Sequence, residues 1–92
     1  MSSDFKFWKD TGVDSEKKKL TEEVMTYAFK NYNNYHEICR YIATRFKEHY
    51  NTEKWTVFAY NAGHGSGYSD FKDTFIGIDY KDSKIIITNH EL

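Results

Sequence analysis

The chain has no proline, one cysteine and no long apolar run, and each absence closes off a class of protein. With Cys39 alone no internal disulfide can form, which suits a reducing compartment such as the cytosol. That cysteine and four scattered histidines, at 36, 49, 64 and 90, make no zinc-ligand spacing. No stretch approaches the roughly 20 apolar residues of a membrane span. The opening MSSDFKFWKD has no apolar core of the kind that marks a secretory signal, so a cytoplasmic protein is expected. A dominant charge is missing as well. The 13 basic and 14 acidic residues leave a net charge of −1, too little basic field for general affinity to nucleic acid.

What is present is aromatic. Phe, Trp and Tyr make up 18% of the chain, and with proline absent this favours sheet and amphipathic surface over disorder. Ninety-two residues imply one domain, over 1–92, with residues 1–12 as an N-terminal strand or tail. A domain of this size buries only ~65% of its unfolded surface and tends to be marginal alone. Without a disulfide or a metal, self-association is the expected support.

Periodicity divides the chain in two. FKFWK, 5–9, alternates large apolar residues with Lys and suits a short edge strand, and Gly12 then marks a turn. A first helix is predicted from Asp14 or Ser15, with Glu16 in its positive first turn and Leu20, Val24, Tyr27 and Ala28 on one face. EKKK, 16–19, followed by Glu22 and Glu23, reads as a solvated face. NYNNY, 31–35, breaks the pattern. A second helix is predicted from about Asn34 to His49, because Tyr35, Ile38, Cys39, Ile42, Phe46 and Tyr50 recur at helical spacing. Cys39 lies on that stripe and reads as a buried small hydrophobe. Then the period becomes 2. WTVFAY (55–60), FIGIDY (75–80) and KIIIT (84–88) are predicted strands, KDS (81–83) a hairpin connection, and residues 66–71 a further candidate strand. Helices followed by strands give an α+β layout, two helices on an antiparallel sheet.

Between the strands lies NAGHGSGYSDF, 61–71, which holds Gly63, Gly65 and Gly67. As a phosphate cradle it fails, since Tyr68 stands where a dinucleotide fingerprint needs its third Gly, and no Lys follows as in a P-loop. As a nucleophile elbow it also fails: Ser66 is flanked by Gly on both sides rather than centred in G-x-S-x-G, and His64 is too near in sequence to serve as its base. Asp70, Asp73, Asp79 and Asp82 lack the EF-hand pattern, and no catalytic residue, metal or cofactor is expected. What remains is strand pairing, with Tyr68 to Phe71 lying on a neighbouring sheet, or else a plain hairpin loop without a partner.

Taken together, Tyr32-Asn33, Ile38, Tyr41-Ile42, Phe46, Tyr50-Asn51 and Trp55, then Gly65-Ser66 and Phe75-Ile76, resemble the small dynein light chains over about residues 13–88. The resemblance implies a non-enzymatic, strand-exchanged homodimer on microtubule motors. Such a dimer binds extended segments of a dynein intermediate or heavy chain and of other disordered partners by strand addition, and two grooves on one dimer raise the effective concentration of the second segment. It also implies a cytoplasmic or cytoskeletal location, or an axonemal one if the chain serves a ciliary dynein, and no membrane partner. Carried over by position, His64, Gly65, Ser66, Gly67, Tyr68, Ser69 and Asp70 form the crossing strand and line the peptide groove, with Phe75, Gly77, Asp79 and His36 beside them. Trp55, Thr56, Phe58, Ser66 and Tyr68 fall at the dimer interface. Gly67, Gly77 and Asp79 stand where the family has Tyr, so a different client set or weaker binding is expected. Thr56 stands where it has a dimer-face His, so an acid transition driven by that imidazole is not expected.

Overall fold

The computed structural model describes residues 5–61 and 70–92. Its elements follow in the order β1 (Phe5–Thr11), α1 (Ser15–Asn31), α2 (Tyr35–His49), β2 (Glu53–Asn61), β3 (Phe75–Tyr80) and β4 (Ser83–Glu91). The strands form one antiparallel sheet in the order β1-β3-β4-β2, with both helices on one side. No helix is long and apolar enough to cross a membrane.

Local chemistry sets the boundaries. Asp14 caps α1, its carboxylate accepting from Lys17 N at 2.8 Å. Asn34 caps α2: its Oδ1 accepts from Glu37 N at 2.9 Å, while its Nδ2 donates to Glu37 Oε1 at 3.2 Å. Neither helix ends on Gly. The amides of Tyr32 and Tyr50 close the last turns on Ala28 O and Phe46 O and then turn extended. The hairpin between β3 and β4 is tighter than KDS suggests. Ser83 already pairs with Tyr80, leaving Lys81 and Asp82 as the turn, with Lys81 in the left-handed region at φ 53°.

The core lies between the layers. Leu20, Val24, Met25 and Ala28 from α1 and Ile38, Ile42 and Phe46 from α2 meet Trp55, Ile76, Ile78, Ile85 and Ile87 from the sheet. The sheet residues recur at period 2, so the strand residues between them face away from the helices.

One corner is polar and buried. Asn89, fully buried, accepts on Oδ1 from the amides of Asp73 (3.1 Å) and Thr74 (2.9 Å) and donates through Nδ2 to Asp73 Oδ1 (2.7 Å). Thr74 Oγ1 donates to Asp73 and accepts from Lys17 Nζ, whose ammonium also reaches Gly12 O. Four elements meet here, and the network sets where the chain enters β3. The hydrogen bonds from Asn89 and Thr74 hold the Asp73 carboxyl below its usual range, opposed by desolvation and helped by the charges of Lys17 and Lys72. A carboxylate depressed in the native state contributes stability that is fully present above about pH 4 and is lost as pH falls through its native value. Denaturant titrations between pH 5 and pH 2 should therefore show a decline that Asp73→Asn flattens; parallel declines in both proteins would contradict this.

Candidate interaction surface

The two margins of the sheet are built differently. β1 borders one side. Its register with β3 shifts between Phe7 and Lys9, a bulge that twists the margin, and it carries Lys6 and Lys9. Bulges and lysines are the usual means by which proteins blunt an open edge. β2 borders the other side. Its nine residues pair with β4 without a break, from Glu53↔Glu91 to Asn61↔Ser83, with no bulge and no proline. Among the described residues no strand pairs with its outer margin. A long, regular, unprotected edge is a template for another strand.

The face turned from the helices is also unusual. Register places Gly77, Ile86 and Phe58 side by side across β3, β4 and β2. Trp8, from the bulge of β1, lies over Gly77: a Cβ there would meet the indole at 2.5 Å. Ile86 is 3% exposed yet stands outside the core cluster between the layers, so its burial comes from this second face. Trp8 and Phe58 remain 44% and 45% exposed. Phe75 meets Trp8 edge-on at 6.3 Å and Phe71 at 5.4 Å. The row is flanked by neutralised polarity. Asp79 pairs with Lys84 at 2.8 Å, and Lys84 Nζ also sits 5.4 Å from the Trp8 ring centroid. On the other flank Thr56 stands opposite Thr88, whose hydroxyl lies 3.3 Å from His90 Nε2.

Of the residues named from sequence, Phe75, Gly77, Asp79, Thr56 and Phe58 come together on this face. Trp55 does not. It points into the core against Phe46 (4.9 Å) and Tyr50 (5.7 Å), and its Nε1 donates to Tyr50 O. His36 is exposed in the first turn of α2, on the helix layer, and Asp70 is exposed just before the Asn89 corner. His64, Gly65, Ser66, Gly67, Tyr68 and Ser69 lie outside the described residues, as does most of the candidate strand 66–71; Asp70 and Phe71 are not in a strand. Sequence reasoning passed over Trp8, Lys84, Ile86 and His90. The alternation in KIIIT could have marked Ile86, but nothing in FKFWK announces a bulge that turns Trp8 outward. Cys39 is partly buried, and burial pushes its thiol up to about 11, which keeps it protonated and unreactive at neutral pH. Among the described residues no group of His, Cys, Asp and Glu is arranged to hold a metal ion.

Comparison with known proteins bears on the fold. No family model matches the chain, and no curated protein does. Solved structures do. The dynein light chain-like domain of the Fasciola hepatica calcium binding protein FhCaBP2, in a mercury derivative, is similar at a TM-score of 0.75 and 13% identity, over 100% of this chain and 97% of that one. The DLC like domain of CsTAL3 is similar at a TM-score of 0.72 and 8% identity, over 97% of this chain and 95% of that one. The native form of the Fasciola hepatica domain gives a TM-score of 0.66 at 12% identity, over 91% and 88%. Two helices on a four-stranded antiparallel sheet, in this arrangement, is the dynein light chain-like fold.

Proposed function

We propose that the chain is a non-enzymatic interaction hub of the dynein light chain type. It pairs with a second copy by strand exchange and holds extended segments of partner proteins by strand addition, as a light chain of a dynein motor, cytoplasmic or axonemal, or of a related assembly. The observation that carries this reading is the contrast between the margins of the sheet: β1 is bulged and lysine-bearing, whereas β2 offers nine residues in unbroken register with nothing beyond them among the described residues. Strand addition supplies main-chain hydrogen bonds to such an edge, and alternate side-chain pockets supply choice of partner.

The chain's own connectivity fits. Asn61, at the end of β2, pairs with Ser83 at one end of β4, whereas Lys72 N donates to Asn89 O at 2.7 Å near the other. Six residues of strand separate those points, about 20 Å. Exchange of the intervening residues, about 64–70, between two copies would place one copy's strand on the other's β2, and a client strand would add beyond it. Thr56 and Phe58 lie on the side of β2 that such a pair would cover.

The calcium in the Fasciola hepatica protein's name is not carried over, because Asp73 and Asp79 are engaged by Asn89, Thr74 and Lys84. A small hydrolase or phosphate binder draws no support from the described residues. A peptide-display selection with the purified protein is expected to enrich extended segments that compete for one site and bind two per dimer. Recovery of helical or folded ligands only, or of no ligand, would contradict the hub reading.

A further inference from the structure

We infer that Trp8 is the aromatic anchor by which the outer face of the sheet docks on a second copy of this chain. The inference deepens the pairing reading above and rests on it. By its resemblance the chain lacks Tyr rings at 77 and 79. The structure returns one ring to the same face from another strand. The bulge between Phe7 and Lys9 turns Trp8 out over Gly77, and the absence of a Cβ at 77 is what admits it, since any Cβ would lie 2.5 to 2.8 Å from three indole carbons. Trp8 and Gly77 are therefore one feature, and neither works without the other.

Three observations favour a second copy as the occupant. The apolar row is continuous with the β2 margin, running from Trp8 through Gly77 and Ile86 to Phe58, on the strand proposed to pair. It spans four strands, about 14 Å, with half-exposed rings at both ends and a filled centre, a shape that can face itself across a two-fold axis. The charges on one flank, Asp79 and Lys84, neutralise each other within one subunit, so two copies of the face do not repel there. Trp is also the residue type most enriched among those that dominate interfaces. Lys84 beside the indole adds a cation–π contact that holds the ring in place.

Sedimentation equilibrium of the full chain tests this with three proteins: wild type, Trp8→Ala, and Trp8→Ala with Gly77→Tyr. The wild type is expected to dimerise and Trp8→Ala to raise the dimer dissociation constant about tenfold or more. The double variant, which returns a ring to the face from β3, should recover a large part of that loss. Because Trp8→Ala could also loosen β1, a second readout uses Trp55→Phe, in which Trp8 is the only tryptophan. Its emission should shift to the blue as concentration rises through the dimerisation range. A wild type that dimerises while Trp8→Ala dimerises equally well, or a Trp8 emission that stays constant across the transition, overturns the role of Trp8 alone. A wild type that is monomeric at every concentration overturns the pairing reading itself.

Discussion

Gly12→Ala should lower stability by about 3–5 kcal/mol, with a fall in melting temperature of roughly 15–30 °C. Two costs add. Gly12 adopts φ +69°, a conformation an alanine enters at a cost of about 1–2 kcal/mol. A Cβ there would also stand 2.0 Å from Asp73 O, a backbone atom, so the chain itself has to move. That carbonyl belongs to the stretch gripped by Asn89, and shifting it pulls the amides of Asp73 and Thr74 from their acceptor. Overpacking of this kind costs a further 1–3 kcal/mol or so. Thermal unfolding of Gly12→Ala beside Thr11→Ala, which changes an exposed neighbour, measures the effect. Losses below about 1 kcal/mol in both would contradict the account of this corner.

Phe58→Lys should act on association rather than on folding. The ring is 45% exposed on the outer face of β2, beside Ile86, so the isolated subunit loses little when it is removed. In a pair, the substitution removes an apolar contact and places an ammonium where water is excluded. Lysine on an edge strand is also a natural guard against pairing. The dimer dissociation constant is expected to rise by about a hundredfold or more, with the unfolding midpoint of the dilute monomer nearly unchanged. Dimers as tight as those of the wild type would show that this face is not buried on pairing.

Much of the architecture is legible in the residues, and the reason is physical. The recurrence of Tyr35, Ile38, Ile42 and Phe46 at helical spacing, and the caps Asp14 and Asn34, fix two helices, because both signals are local. FIGIDY matches β3 residue for residue, since strand alternation is also local. What was not legible depends on pairing between distant segments. Trp55 was assigned to the dimer face from the resemblance, but the side of a strand a residue takes is settled by its register with β4, which turns it toward Phe46. Trp8 was passed over because a bulge exists only in relation to its partner strand. His90 is far from Thr56 in sequence, yet Thr88 brings it onto the same face, so that face does carry an imidazole although position 56 does not. Asn89 gave no sign of its place at the centre of a network that spans the chain from Gly12 to Asp73. The segment 62–69, on which the exchange expectation turned, lies outside the described residues.

The most direct measurement is residue-resolved hydrogen exchange along Glu53–Asn61 as a function of protein concentration. Alternate amides of β2 point toward β4 and should be protected at every concentration. The intervening amides, which point away from β4, should exchange quickly in dilute protein and become protected as dimers form. If those outward amides exchange freely even where sedimentation shows dimers, no strand is added at this edge and the central claim fails.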